Sequence, residues 1–412
     1  MKKSPTRFIR RVDNKFTSAS LDLNFQNMTT SGFDSRITFT RASSGTFFNG
    51  SGILQTASTN VPRLDHSPTT LQSLGLLIEE QRTNLLLQSG WAGAVAGSPG
   101  TAPTSWVLGT VSGSPTSALV SSIYGTTDSA QAVLFSGVTG DRLWYQQVIN
   151  VTNGTTYVVT IFCETVTGTP GNVLAVIAGT ATRSIISDQG INPSSKTRAS
   201  ITFTATGTGT VIIRTGIGAA SGLIDNATAQ LSRPQVEAGA FPTSYIPTVA
   251  STVTRNADVA SMTGTNFSSW YNATEGTVFT EYQVTAGINQ RAFAVSDGTL
   301  NNVMNILVTN ASGNGSSFAV TTAGSLVASV PSNLATQSET LYKVAGAYKV
   351  NDVNGARNGT VGTTDTSAAI PVVDRANIGS GGAASQFLNG YIQRIAYYPV
   401  RLSNDQLQAL TR

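Results

Sequence analysis

The sequence predicts an all-β protein with two antiparallel β-sandwich (jelly-roll) domains. An extended N-terminal arm and a small β-rich module precede them. Three observations carry this expectation. Short apolar runs alternate with polar residues, and strands recur at roughly 8–12-residue spacing. Turn residues punctuate them, among them Asn49-Gly50, Asn153-Gly154 and Pro170-Gly171. Segments with helical periodicity are almost absent. The expected divisions are a basic docking arm over 1–35, an attachment module over 36–89, a first sandwich over 90–247 and a jelly roll over 248–412.

In the module, Ile37-Thr38-Phe39-Thr40 alternates as a strand does. Thr46-Phe47-Phe48 meets Asn49-Gly50, a strong hairpin signal, and Ile53-Leu54 returns. Pro62 disfavours helix at Val61. Residues 76–87 hold two apolar runs around a charged centre. One helix, or two short strands around a turn, fits them equally. Residues 90–125 are rich in Gly, Ser, Thr, Ala and Pro, with Trp91 and Trp106 as the large anchors. They read as a linker leading into a first strand or two. Clear strands follow over 143–148, 157–163, 199–204, 211–214 and 229–232. Pro242 and Pro247 then mark an extended connector.

A second strand series covers 277–284, 292–295, 303–308, 317–320, 342–348 and 390–398. The chain closes on a short helix ending near Leu410. Ser403 is its N-cap, Gln406 completes a capping box, and Leu402 and Leu407 form a hydrophobic staple.

Charge is scarce and uneven. Charged residues make up 11% of the 412, where about 25% is usual. The polar surface must therefore come from hydroxyls and amides. Residues 1–16 hold six of the 25 cations (Lys2, Lys3, Arg7, Arg10, Arg11 and Lys15) and one of the 21 acids, Asp13. Their net charge is +5, which leaves −1 for the rest. Such an arm reads as a docking element for an acidic protein surface or nucleic acid, or as a flexible, solvated terminus. The body offers nucleic acid no supporting basic face.

Composition excludes further classes. One His and one Cys cannot build an ordinary zinc site, and a single Cys forms no intrachain disulfide. No apolar run approaches the roughly 18–20 residues of a membrane-spanning helix. The basic start runs into Arg10-Arg11 rather than an apolar segment, so no secretion leader is expected.

Two resemblances follow from longer strings. Phe387-Leu388-Asn389-Gly390-Tyr391-Ile392-Gln393-Arg394-Ile395-Ala396-Tyr397-Tyr398-Pro399, with Arg401-Leu402-Ser403, resembles the concanavalin-A-like/laminin-G-like jelly roll. So does Tyr342-Lys343-Val344-Ala345-Gly346-Ala347-Tyr348 followed by Asn358-Gly359. The resemblance implies two stacked antiparallel sheets and, commonly, glycan or protein binding.

Phe39-Thr40-Arg41-Ala42-Ser43, Asn60-Val61-Pro62-Arg63 and Gly75-Leu76-Leu77-Ile78-Glu79-Glu80-Gln81-Arg82-Thr83-Asn84-Leu85-Leu86 are similar to a module of tailed-phage virion proteins. Pro234-Gln235-Val236-Glu237-Ala238-Gly239-Ala240-Phe241-Pro242-Thr243-Ser244-Tyr245-Ile246-Pro247 resembles the end of a carbohydrate-binding-module-like domain. These imply a bacteriophage tail fibre, head fibre, spike or capsid decoration protein. It would be made in the host cytoplasm and exposed on the virion. Its partners would be capsid, portal or tail proteins and host-surface or environmental glycans. A homotrimer is the expectation taken from fibres.

The residues themselves favour binding over catalysis. Glycoside hydrolysis needs two carboxylates roughly 5–10 Å apart. The 277–284 strand offers only Glu281, and the 390–398 strand offers none. Glu79 and Glu80 are adjacent, so on a strand they face opposite ways; pairing with Arg63 or Arg82 is their expected use. His66 reads as an exposed loop imidazole, and Cys163 as a small buried hydrophobe.

Glycan sites pair aromatic platforms with amides and carboxylates. Trp144-Tyr145 and Trp270-Tyr271 supply candidate platforms: on a strand one member of each pair points outward and could be exposed, while burial of both in a core is the other reading. Asp352, Asn354 and Asn358 are candidate polar contacts, though turn chemistry also explains them. No cofactor is expected; the turn residues could serve a Ca²⁺, but no EF-hand-like run supplies the six to eight oxygens that calcium needs. The expected function is a non-enzymatic virion protein that adheres to glycans. The alternatives are a purely structural decoration protein and a glycan depolymerase.

Overall fold

The computed structural model describes residues 18–109, 111–125, 131–178, 188–219, 225–285, 289–308, 317–330, 341–382 and 385–412. Within them the protein is almost entirely antiparallel β-sheet, folded as two sandwiches.

The larger sandwich packs an eight-stranded sheet on a seven-stranded one. At the centre of the first, Gly390–Tyr398 pairs with Glu275–Val284 on one side and with Ser73–Ile78 and Leu21–Asn24 on the other. The second sheet runs Thr38–Thr40, Val259–Thr263, Arg375–Ile378, Gln290–Ser296, Val303–Val308, Ser317–Thr322 and Ser325–Val330. Side chains from both sheets, such as Tyr282, Ile392, Met304 and Phe318, meet in one core. At the Gly346 position any Cβ would run into the Phe318 ring, so the residue there has to be small.

The outer face of the eight-stranded sheet is covered as well. Helix Asn404–Thr411 lays Leu407 on Phe279, Ala345, Ala347 and Ala396. The capping box of Ser403 and Gln406 is formed. This cover explains why Leu341–Lys349 is buried on both faces along most of its length instead of alternating.

The smaller sandwich consists of two five-stranded sheets. Alternation is clean in one of its outer strands. In Thr197–Thr204, Ala199, Ile201 and Phe203 point inward while Ser200, Thr202 and Thr204 face solvent. Burying each large side chain of this kind contributes about 1.5–3 kcal/mol. The long strands Thr156–Thr169 and Asp225–Ala238 form the spine of one sheet.

The chain order departs from the expected divisions. The 36–89 stretch is not a separate module. Thr38–Thr40 pairs with Val259–Thr263, and Ser73–Ile78 pairs with Gly390–Tyr398. These strands complete the larger sandwich, and the smaller one is inserted between residues 84 and 253. At its neck Arg82–Asn84 and Val253–Arg255 pair as a short antiparallel ladder.

Nor is the arm extended throughout 1–35. Leu21, Leu23 and Phe25 are buried in the larger core, because Leu21–Asn24 pairs with the 394–397 part of Gly390–Tyr398, which Ser73–Ile78 leaves unpaired on that side. Residues 1–17, with Lys2, Lys3, Arg7, Arg10, Arg11 and Lys15, lie outside the described residues. The 90–125 linker also folds into place. Trp91 and Trp106 are both buried, with ring centroids 5.1 Å apart, and donate to the carbonyls of Leu231 and Leu87. Among the described residues no helix is long and apolar enough to cross a membrane.

Candidate functional site

The polar residues of the quoted strings converge at the junction of the two sandwiches. Asp258 accepts from Arg41 Nη1 at 3.0 Å and from Arg63 Nη2 at 2.5 Å. Its Oδ2 also accepts the Glu79 backbone N–H at 3.0 Å. Glu79 pairs with Arg63 at 2.8 Å and with Arg255 at 3.5 Å. Three guanidinium groups therefore share two carboxylates, all at most 7% exposed.

Ser244 ties the insertion's exit to this knot. Its N–H and hydroxyl each donate to Glu79 at 2.7 Å, while its Oγ accepts from Arg63 at 2.6 Å. Beside the knot, Glu80 pairs with Arg82 at 2.5 Å, and Asn389 bonds both the backbone N–H and the carboxylate of Glu80. Arg82 donates to the Ala238 carbonyl and lies 4.9 Å over the Phe241 ring. Glu79 and Glu80 thus pair with Arg63 and Arg82, as adjacency on an extended chain suggested.

Above the knot lies a cleft of about 350 Å³ with walls from both sandwiches. The larger one contributes Phe48, Asp65, His66, Leu74 and Tyr391; the insertion contributes Phe162 and Arg198; the connector contributes Pro242 and Tyr245. A small apolar cluster of Leu54, Tyr124, Phe162 and Tyr245 holds the walls together, with Phe48 packed 5.4 Å from Tyr124.

The cleft's polar groups differ in how fully they are used. Asp65 Oδ1 accepts from the backbone N–H groups of Phe48 (2.6 Å) and His66 (2.9 Å), and Oδ2 accepts the Tyr391 hydroxyl at 3.2 Å. Arg198 donates Nη1 to the Thr243 carbonyl at 2.7 Å and Nη2 to Thr160 Oγ1 at 3.0 Å. Its Nε has no hydrogen-bond partner. His66 is not an exposed loop residue. It is half-buried at the end of Leu64–His66, with Nδ1 3.2 Å from the Phe48 carbonyl.

Environment drives the two acids of this region apart. Burial pushes the Asp65 carboxyl up to about 6, against the lowering effect of its two backbone hydrogen bonds and of Arg63. Burial acts the same way on Glu79, but Arg255, Arg63 and the Ser244 hydrogen bonds outweigh it and hold that carboxyl at about 2. The Tyr391 hydroxyl is raised well above its ordinary value by burial, then by Asp65 and Glu79. Burial lowers the Arg198 guanidinium.

None of the candidate glycan contacts read from the sequence lies in this cleft. Tyr145 is fully buried in the smaller core and donates to Ser117 Oγ at 3.0 Å. Trp144 does point out of its sheet, yet it is only 6% exposed: Gly109 abuts the indole, Ala219 packs against it, and the Arg214 guanidinium sits 5.0 Å above. Trp270 is buried and donates to the Asn266 carbonyl at 2.8 Å. Tyr271 is half-buried and stacks on Phe267 at 4.6 Å. As placed, these rings offer no open face to a sugar.

The three polar candidates are engaged within the fold. Asp352 pairs with Arg401 at 2.8 Å. Asn354 is buried against Thr364 and the Gly355 N–H, and Asn358 accepts the Lys343 N–H. Cys163 is fully buried, and burial pushes its thiol up to about 12. Among the described residues no cluster of His, Cys, Asp or Glu could hold a metal ion.

Sequence reasoning missed Asp65, Arg198 and Tyr391. The available signal was their closeness to the quoted strings, since Asp65 follows Arg63 by two residues and Tyr391 lies inside the jelly-roll string. Nothing local brings them together, because Asp65 and Tyr391 are 326 residues apart.

No known family profile matches the chain, and no curated protein matches it. Solved structures do overlap parts of it. The Ruminococcus gnavus IT-sialidase CBM40 bound to α2,3-sialyllactose covers 34% of this chain and 83% of its own, at 22% identity and a TM-score of 0.30. Domain 4 of AbnA, a GH43 extracellular arabinanase from Geobacillus stearothermophilus in complex with arabinotriose, covers 42% and 82%, at 10% identity and 0.33. The NanB sialidase of Streptococcus pneumoniae covers 37% and 26%, at 17% and 0.31. Overlaps of this size assign the chain neither a family nor a ligand.

Proposed function

We propose that this chain is a non-enzymatic virion adhesion protein that presents its β-sandwiches to host or environmental glycans. The observation that carries the reading is the cleft between the sandwiches. Concave sites with apolar walls and a few convergent polar groups are where small ligands bind. Here Phe48 and Pro242 supply apolar surface, and Asp65, Tyr391 and Arg198 supply acceptor and donor groups.

The same geometry argues against hydrolysis. A glycosidase needs a second carboxylate free to attack or to activate water. Glu79, the acid nearest to Asp65 in chain and space, is spent on Arg63, Arg255 and Ser244. The virion part of the proposal rests on the resemblance of the quoted strings and on the +5 arm of residues 1–16. The arm would dock on capsid, portal or tail proteins, and trimerisation would multiply weak single-site binding.

The test is a glycan array with the intact chain, expected to show millimolar-to-micromolar binding. Silence across host polysaccharides would favour a purely structural decoration protein. Release of reducing ends from a bound glycan would make it a depolymerase. Deleting residues 1–16 should abolish incorporation into particles while the circular-dichroism spectrum stays that of a β-protein; normal incorporation would refute the docking arm.

A further inference from the structure

We infer that the interdomain cleft takes one uncharged sugar residue of a glycan, held between the Arg198 Nε–H and the Asp65–Tyr391 pair. This inference rests on the glycan-binding reading above and names the class of glycan and the groups that hold it.

Size sets the first limit. About 350 Å³ lies at the small end of ligand clefts, which run to roughly 1,000 Å³. That suits a single ring and its linkage better than a long stretch of chain.

The spent and unspent hydrogen bonds set the second. Arginine binds carboxylates and phosphates best through two parallel N–H donors. In Arg198 each Nη already has a partner in the protein, Thr243 or Thr160, so that fork is occupied. What remains is one Nε–H, a single donor suited to a hydroxyl oxygen. A buried donor left unpaired keeps the cost of its lost hydration, so an acceptor arriving there is favoured.

Charge sets the third. An acidic sugar would meet the Asp65 carboxylate across the same small cleft, with Glu79 beneath it. A cationic sugar would meet Arg198. With the Arg198 guanidinium on one wall and the hydrogen-bonded Asp65 carboxylate on the other, a neutral polyhydroxyl group meets neither with like charge. Hydroxyls also donate and accept at once, which matches a donor on one wall and, on the other, a carboxylate oxygen whose only partner among the described residues is the Tyr391 hydroxyl.

The experiment is calorimetric titration of the intact chain with two panels of oligosaccharides of equal length, one neutral and one bearing uronate or sialyl groups. Neutral sugars should bind. Arg198→Met should weaken that binding at least about tenfold, and Tyr391→Phe a few-fold. Thr285→Trp, a rim change outside the knot that fills the cleft, should abolish it and serves as the second variant should Arg198→Met not fold. Preference for the acidic panel, lost in Arg198→Met, overturns the neutral class while leaving glycan binding intact. Neutral binding unchanged in folded Thr285→Trp overturns the cleft as the site. No binding to either panel, nor on the array, sinks the underlying reading itself.

Discussion

At the scale of single residues, the junction shows how one burial produces opposite electrostatic outcomes. Asp65 and Glu79 are both buried carboxylates. Glu79 has two guanidinium neighbours and stays ionised; Asp65 has hydrogen bonds but no ion pair, and its carboxyl rises to about 6. The sign of each contribution to stability follows. Native Asp65 holds its proton more tightly than the unfolded chain, whose ordinary value is 3.8. Its contribution is therefore complete below about pH 4 and lost as pH rises through 6, an effect of about 3 kcal/mol. Glu79 runs the other way: its contribution is complete above 4.5 and lost as pH falls through 2. Urea midpoints of the wild type and Asp65→Asn should thus diverge between pH 4 and 6.5, with the wild type gaining stability relative to the variant as pH falls. Parallel curves would contradict the burial of Asp65. The groups facing it across that range are Arg63, Glu79, His66, Arg198 and Tyr391.

Individual elements were mostly legible in the sequence, because their causes are local. Asn49-Gly50 does close the hairpin of Gly45–Phe48 and Leu54–Ala57, with Asn49 Oδ1 accepting from Ser51 and Ile53. The ambiguous 76–87 stretch resolves into Ser73–Ile78 and Arg82–Asn84, since Glu79 and Glu80 must turn toward different arginines. The closing helix begins at its foreseen cap. Ser403→Ala removes that cap and should cost about 1 kcal/mol, seen as a lower thermal midpoint; because the helix covers Ala345 and Ala347, exchange of the amides on that sheet should quicken with it. An unchanged midpoint would mean that the Leu402 and Leu407 contacts alone hold the helix. What alternation left open at this scale was exposure. Trp144 and Tyr145 do face opposite ways on Leu143–Val151, as alternation requires, but Gly109, Ala219 and Arg214 cover the outward ring.

For the whole molecule, the decisive feature is that one sandwich is inserted into the other and tied back at its neck. The knot of Arg41, Arg63, Arg255, Glu79 and Asp258 draws residues from both sides of the insertion, and Ser244 joins it to the returning chain. Removing one member of a buried ion network leaves the others uncompensated, typically at about 3–5 kcal/mol. Asp258→Ala removes a carboxylate shared by three arginines and leaves Arg41 without its ion pair, so it should lower stability by that order. Calorimetry should show one cooperative transition for the wild type and two for the variant, as the smaller sandwich melts apart from the larger. Two transitions already in the wild type would show that the junction does not couple them.

By itself the sequence determined the all-β class, most strands, the closing helix, the buried thiol and the concentration of positive charge in the first 16 residues. Each of these depends on residues within a few positions of one another: alternation, turn chemistry, a cap, a run of charge. Only the tertiary structure decided that the 36–89 stretch belongs to the C-terminal sandwich, that the smaller sandwich is an insertion, and that Asp65, Tyr391 and Arg198 line one cleft. Alternation states which face of a strand is buried but not which strand lies beside it. That choice is made by pairings such as Leu77 with Tyr391, more than 300 residues apart in the chain. The partners of the buried arginines depend on the same pairings.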